Sequence, residues 1–529
     1  MPDEREPGPA TQASATAGRS PEISRQMMQR TWSSQATGLR LAERLSARTL
    51  LLGGVMTVIL GLFISVEQDP DFWWHIRTGQ WIVQNGRLPS TDLFTFTATT
   101  HAWTDHEYLT EVLMWLTYST FGITALCIAF GLITWAGFWL IFLQVRRQPF
   151  VFVGVGITIA AIAGSPIWGP RAQMITFALS CLELYWLRQY MAGRSLAINF
   201  FPLVMVAWAN LHGGWVIGFV WLGVALTAEL LTWAWDQDNP AHLMHVRRLV
   251  VIGAASALAV AATPHFLSLY PYPFQTQGSE AQQRLIVEWA SPNFHNIELR
   301  PFEAMIFLAV IGFALKRPSL FDLLLTLAAL GLALQNVRNV ALFVAAVSPV
   351  LINTYGEWWK GFAAEQKWKF SVPARPMFAV ITAIALIVIA GATSLRVAAT
   401  ISPAKQQAAD AQNYPVGAAD WLAAHPEVGT RMFNQYGFGG YLAYRFYPDP
   451  NRRVFIFGEA ALMGDSLLNE YADVYYVRSD WKQVLDKYGV DYVVENKGDP
   501  LANLLATQPD WKLVYQDKVA VIYVRQKPA

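Results

Sequence analysis

Apolar runs with few or no charges recur from residue 49 almost to residue 395. They fall near 49–66, 112–144, 149–168, 174–191, 197–215, 216–234, 249–264, 302–315, 319–335, 340–356 and 376–395. Most come close to the ~20 residues a helix needs to cross hydrocarbon, and the pattern predicts a polytopic α-helical membrane domain over 48–397 with about eleven spans, eleven to thirteen by other divisions. The shorter runs predict tilted or thickness-limited helices. Run 112–144 carries no charge and exceeds one span. It reads as one helix kinked at Phe121-Gly122 or as two helices. Two polar stretches, 67–111 and 264–301, interrupt the series. The second is long enough to be a lid or substrate loop.

Beyond about residue 400 charges return and apolar positions alternate. Val416–Ala424 and Asp480–Lys487 read as helices. Arg431–Asn434, Gly440–Arg445, Val454–Phe457, Val490–Glu495, Trp511–Tyr515 and Val519–Arg525 read as strands. Segment 402–529 is therefore predicted to be an α/β soluble domain of about 120 residues. At the other end, 1–47 is rich in Pro, Ser, Thr, Ala and Gln and is expected to be disordered. It is too long and polar for a secretory n-region, which makes the first apolar run an uncleaved span. No repeat of fixed period is present.

Of the 529 residues, 54% are hydrophobic and only 15% charged. Soluble domains carry roughly 25% charged residues, so the chain is expected in a membrane, and its 22 Trp and 30 Phe suit interfacial belts. A net charge of +1 gives no field for a nucleic-acid partner. Cys127 and Cys181 lie in apolar runs and imply no disulfide framework. Basic residues set the orientation. Arg19, Arg25, Arg30, Arg40, Arg44 and Arg48 place the N-terminus in the cytoplasm. A single helix through 112–144 then keeps Arg146-Arg147, Arg188, Arg194, Arg247-Arg248, Lys316-Arg317 and the stretch Lys360 to Arg375 inside as well. Two helices would put all of them outside. The one-helix reading leaves 67–111, 166–173, 210–214, 264–301, 336–339 and the tail together on the extracytoplasmic face of an inner or plasma membrane.

The densest chemistry follows directly on the first span, in Asp69-Pro70-Asp71-Phe72-Trp73-Trp74-His75-Ile76-Arg77. Trp74, Trp81 and Ile82 have helical spacing, which predicts an amphipathic interfacial helix over Phe72–Val83. An aspartate ahead of a helix is a good N-cap. The functional reading makes one carboxylate a general base and the other its orienting partner, with the helix N-terminus favouring the anion. Residue order favours Asp71 as the cap and Asp69 as the base. Asp105, His106 and Glu107 open the next helix, as a polar cap or as pocket residues with His75 and Arg77. Arg171, followed by Gln173, and Arg338 are outer guanidiniums that break the positive-inside bias. They read as clamps for a phosphate or as headgroup-snorkelling residues. Asn210 and His212 precede Gly213-Gly214 at a helix–helix turn, capping it or facing the pocket. Glu288-Trp289 offers an aromatic face for a sugar ring and a carboxylate for its hydroxyls. Glu183 and Arg188 read as an intramembrane pair.

Taken together, the Asp69 to His75 run, the Trp103 to Glu107 run, Arg171-Ala172-Gln173 and the stretch Phe433 to Leu442 resemble a bacterial branch of the C-type (GT-C) superfamily of polytopic membrane glycosyltransferases, which use polyprenyl-phosphate sugars. The likeness covers nearly all of the chain after residue 48. It implies inverting transfer of a sugar from a polyprenyl-phosphate donor to the hydroxyl of a glycan, lipid or protein acceptor. By the same resemblance Asp69 or Asp71 is the base, and Arg171 and Arg338 hold the departing lipid phosphate. Members that transfer to amide nitrogen rely on a divalent metal. Their second acidic cluster is not evident here, so no metal or other cofactor is expected. Phe457-Gly458-Glu459 departs from the branch and argues against a part for the tail in catalysis. The rival reading is a transporter or flippase of a lipid-linked saccharide, for which matching broken spans in two halves are expected. None is found.

Overall fold

A computed structural model describes residues 46–367 and 376–526. The N-terminus expected to be disordered lies outside them except for Ser46 and Ala47. The protein is mostly helical. Its first part runs α1 (Ala47–Phe63), α2 (Phe72–Asn85), α3 (Tyr108–Val145), α4 (Phe150–Ala163), α5 (Gln173–Met191), α6 (Phe201–Leu211), α7 (Val216–Trp235), α8 (Pro240–Val260), α9 (Tyr272–Gly278), α10 (Glu280–Leu285), α11 (Arg300–Leu315), α12 (Leu320–Gln335), α13 (Val340–Glu365) and α14 (Pro376–Thr400). Among the described residues, five helices are long and apolar enough to cross a membrane: Tyr108–Val145, Gly213–Trp235, Pro240–Val260, Val337–Glu365 and Met377–Thr400. α13 is buried on every side from Val340 to Ile352 and forms the bundle centre. α14 instead exposes Val380, Ile384, Ile387, Val388 and Leu395. So large an apolar face is costly in water and costs nothing against lipid tails, which are as apolar as leucine.

Run 112–144 folds as one element broken at Gly122, whose φ of 75° and ψ of 179° leave the helix. A residue without Cβ adopts that backbone freely. α2 is amphipathic, but it is not laid open on an interface. It is wedged between α3 and the C-terminal part, burying Phe72, Trp73, Trp74 and Ile76. Its approach to α3 is so close that a Cβ on Gly79 would overlap the Glu111 carbonyl. Gly79→Ala is therefore expected to destabilise the protein by about 1–3 kcal/mol or more, the range for overpacking, because backbone and not a flexible side chain must give way. A thermal midpoint unchanged from wild type would disprove that packing.

The C-terminal part comprises α15 (Pro403–Asn413), α16 (Val416–Ala424), β1 (Met432–Asn434), α17 (Gly439–Phe446), α18 (Ala460–Tyr475), α19 (Trp481–Lys487), β2 (Tyr492–Asn496), α20 (Pro500–Leu505), β3 (Trp511–Gln516) and β4 (Ala520–Arg525). The strands form one small sheet ordered β1-β2-β4-β3, with β1 parallel to β2 and the other pairs antiparallel. Two expected strands are not strands. Gly440–Arg445 lies in α17. Phe438, Tyr441 and Leu442 stand at helical spacing and bury a stripe, and Trp73 of α2 meets Tyr441 and Tyr444 with ring centroids 5.9 and 4.6 Å apart. Val454–Phe457 is extended and buried but has only an isolated bridge, between Val454 and Thr95. The Asn434 side chain takes the place of a neighbouring strand, accepting from Phe455 N–H at 2.8 Å and donating to the Ile456 carbonyl at 2.9 Å. Buried backbone groups need such partners. The tail does not stand apart from the bundle, because Phe457 packs on Trp74 and Phe94 at 5.4 and 5.3 Å.

Candidate active site

A cavity of about 560 Å³ opens where the loop after α1, the start of α5, the α6–α7 and α12–α13 turns, the α9–α10 region and the tail converge. A cleft of about 70 Å³ at its base is lined by Asp69, Asp71, His75, Glu107, Arg171 and Arg338, among others. Short apolar helices that stop at these turns deliver their polar residues to one end of the bundle.

Asp69 is fully engaged. Its Oδ1 accepts from Asp71 N–H at 2.9 Å and its Oδ2 meets Arg171 Nε at 2.7 Å. Arg171 also holds Glu288 through two bonds, Nη1 to Oε1 at 2.6 Å and Nη2 to Oε2 at 3.0 Å. The guanidinium is thus shared by two carboxylates. Asp71 flanks α2 without capping it through its side chain. Its Oδ1 accepts from Trp74 Nε1 at 3.0 Å. Burial, and then the neighbouring Asp69 charge, push the Asp71 carboxyl up to about 7. The tail closes on it from the other side, since a Cβ on Gly458 would overlap the Asp71 carboxylate.

Behind the aspartates, three imidazoles surround Glu107. Its Oε1 lies 3.0 Å from His106 Nε2 and 3.4 Å from His212 Nε2, and its Oε2 lies 3.6 Å from His75 Nε2. Burial works against the Glu107 anion, yet His212, His106 and His75 hold it well below the usual carboxylate range. Burial would likewise lower His106, but Glu107 beside it raises the ring to about 9. His106 and Glu107 therefore form an ion pair at neutral pH. His212 is pushed down to about 4, by burial first. Gly214 N–H donates to its Nδ1 at 2.9 Å, so the neutral ring carries its proton on Nε2, towards Glu107. His75 is fixed from behind by Glu111, Nδ1 to Oε1 at 2.8 Å.

Arg338 is the contrasting cation. Its guanidinium stacks 4.8 Å from the Trp289 ring centroid and, among the described residues, makes no hydrogen bond or ion pair. The turn that carries it is bolted to the Trp289 segment by Asn336 Nδ2 to the Trp289 carbonyl, 2.7 Å, and by Val337 N–H to the Ala290 carbonyl, 2.9 Å. Gln173 Nε2 donates to the Arg338 carbonyl at 3.1 Å.

Asp69, Asp71, His75, His106, Glu107, Arg171, Gln173, His212, Glu288, Trp289 and Arg338 all line the cavity. Three other candidates do not. Arg77 turns towards α17, donating to Gln80 Oε1 at 2.6 Å and to the Tyr444 carbonyl, with its guanidinium 4.8 Å from the Tyr444 ring. Asn210 Oδ1 accepts a hydrogen bond from the Tyr108 hydroxyl, and its Nδ2 ties the ends of α6 and α8 together by donating to the Val206 and Ala262 carbonyls. Asp105 is buried behind Glu107, whose N–H it accepts at 3.3 Å. Glu183 is not paired with Arg188. It is buried with neither carboxylate oxygen hydrogen-bonded, while Arg188 meets Asp322 at 2.5 Å.

The sequence reading does not count Glu111, Tyr272, Tyr436 or Glu459 among the site residues. Glu111 stands four residues after Glu107, on the same face of a helix, and that spacing could have found it. Tyr272 donates to Glu459 Oε1 at 3.1 Å and its ring lies 4.4 Å from that of His106. Burial pushes Glu459 up to about 7. The tail, expected to stand clear of the chemistry, supplies part of the cavity wall through Tyr436, Gly458 and Glu459.

No protein-family model matches the chain, and no curated protein does. Solved structures do. ArnT from Cupriavidus metallidurans bound to undecaprenyl phosphate is 14% identical over 91% of this chain and 98% of its own, with a TM-score of 0.41. The archaeal oligosaccharyltransferase AglB from Archaeoglobus fulgidus, in complex with an inhibitory peptide and a dolichol-phosphate, is 10% identical over 88% of this chain and 70% of its own, at 0.49. The arabinofuranosyltransferase AftD from Mycobacteria is 15% identical over 91% of this chain and 40% of its own, at 0.46. Similarity at this level carries no activity from those proteins to this one.

Proposed function

We propose that this integral membrane protein is a glycosyltransferase of the C-type superfamily, moving a sugar from a polyprenyl-phosphate donor to an acceptor hydroxyl. One observation carries the reading: a single cleft holds a carboxyl poised to ionise near neutral pH, Asp71, and a guanidinium, Arg338, that makes no ion pair or hydrogen bond among the described residues. A base works best when its pKa lies near the working pH, and a guanidinium whose N–H groups are not taken up by an ion pair is available to a phosphate.

In the step so formed, an Asp71 oxygen takes the proton of the acceptor hydroxyl. The acceptor's hydroxyl oxygen, freed of its proton, bonds to the anomeric carbon as the bond to the lipid phosphate breaks on the opposite face, giving inversion. The electron pair stays on the phosphate, where Arg338 balances it. The leaving group is already a stable anion, so the step needs neither a general acid nor a metal. Asp69, held by Arg171, orients Asp71 through its N–H. Trp289, Tyr436 and Glu459 are surfaces for sugar and acceptor. The cavity opens on the extracytoplasmic face in this reading, with 402–529 over it.

The direct test is to supply radiolabelled polyprenyl-phosphate sugars to the reconstituted protein and look for transfer. Within that assay Arg338→Ala is expected to lower kcat/KM for the lipid-linked donor roughly 10–100-fold, the effect of losing charge-assisted hydrogen bonds of ~1.5–3 kcal/mol. An unchanged kcat/KM would remove Arg338 from the donor site. No transfer from any lipid-linked sugar, with the protein folded, would remove the activity itself.

A further inference from the structure

We infer that Glu229, His242 and His245 form a binding site for one divalent transition-metal cation of the zinc type, closing the α7–α8 hairpin at the end remote from the catalytic cavity. α7 begins at the cavity turn, and Glu229 lies roughly 20 Å further along it at 1.5 Å per residue. The chain reverses at Asp236–Asn239, and α8 returns His242 and His245, three residues apart and on one face.

Both imidazoles present Nδ1 to the two oxygens of the one carboxylate: His242 to Oε2 at 2.7 Å and His245 to Oε1 at 3.4 Å. One ligand atom from each residue lies within 4.8 Å of the others. Ligands ~2.0–2.1 Å from a tetrahedral zinc stand about 3.3 Å apart, so small adjustments seat an ion. Hydrogen bonding by itself leaves the group incomplete. The Glu229 carboxylate is buried among apolar residues of α7, with 7% of its side chain exposed, and His245 Nδ1 is buried and makes no hydrogen bond. The Tyr190 ring, 4.8 Å from that of His245, holds the imidazole in place. A cation would bridge the His245 nitrogen, which makes no hydrogen bond, and the carboxylate oxygen 3.4 Å from it. Two imidazoles and one carboxylate are a nitrogen-rich set suited to zinc and its neighbours rather than to calcium or magnesium, and a fourth position remains for water. Such an ion cross-links two membrane helices, and Val216 at the other end of α7 borders the His212-Gly213-Gly214 turn of the cavity.

The test uses the purified full-length protein in detergent, stripped with a chelator and titrated with Zn²⁺ alone. The wild type is expected to bind one equivalent more than a His242→Ala/His245→Ala double variant, and Zn²⁺ is expected to raise the unfolding midpoint of the wild type by more than that of the variant. The histidines around Glu107 are common to both proteins and cancel in the comparison. Glu229→Gln, which keeps the shape of the side chain, provides a second variant in case the double variant does not fold. It too is expected to lose the equivalent. Equal stoichiometry in wild type and variants, or no binding by the wild type at micromolar Zn²⁺, overturns the site.

Discussion

Asp71→Asn is expected to lower sugar transfer by roughly 10²–10⁴-fold, the contribution of a positioned general base, while the protein stays folded. Asparagine keeps the Trp74 hydrogen bond and the contact with Gly458 but cannot take a proton. The stability change runs opposite to a structural defect. The carboxyl's folded pKa of about 7 lies above the ~3.9 of an unfolded chain. Between those values the folded protein binds more protons, so stability is full below about pH 4 and declines as pH rises through 7. The amide carries no such charge, and the variant is expected to match or exceed the wild type in thermal midpoint at neutral pH. Activity of the wild type is expected to rise with pH through about 7, as the base ionises, and the residual activity of the variant to lack that limb. Full activity in Asp71→Asn would sink the assignment. A loss in Asp69→Asn much larger than in Asp71→Asn would exchange the two roles.

Arg171→Ala is expected to be the most destabilising single change at the site, by about 3–5 kcal/mol, because removing one partner of a buried ion pair strands a charge. The two arms are unequal. Asp69 exposes 10% of its side chain and Glu288 34%, so water screens the Glu288 arm and most of the cost falls on Asp69. Glu288→Gln should therefore cost far less than Arg171→Ala. Unfolding in detergent, followed by thermal scan or proteolysis, measures both. A folded Arg171→Ala protein with wild-type stability and a raised KM for the lipid-linked donor would instead make Arg171 a phosphate ligand, as its place in the chain first suggests.

The helices were largely legible in the sequence and the partnerships were not. Gly122 marks the break in α3, and α16 occupies Val416–Ala424, the segment its pattern predicts. Gly440–Arg445 suits strand and helix equally, because a six-residue run of mostly apolar and aromatic residues is too short for its period to decide, and Trp73 packed on Tyr441 and Tyr444 favours the helical stripe. At the site, Arg171 and Arg338 look alike in sequence, each an outer guanidinium at a span end. One meets two carboxylates from distant segments, the other a tryptophan face. Glu183 and Arg188 are five residues apart, yet the partner of Arg188 is Asp322, contributed by α12.

By itself the sequence determined the long apolar helices and the chemical types gathered at their ends. In hydrocarbon a backbone must satisfy its own hydrogen bonds, and a helix does so within one segment, so the decision is local. Only the tertiary structure set the two first-loop carboxylates apart, Asp69 held on Arg171 and Asp71 raised by burial. Asp69 and Asp71 are separated by one proline, and what distinguishes them is Arg171 from the turn before α5 and Gly458 from the tail. Burial and neighbouring charge set a pKa, and both are properties of groups brought together from far apart in the chain.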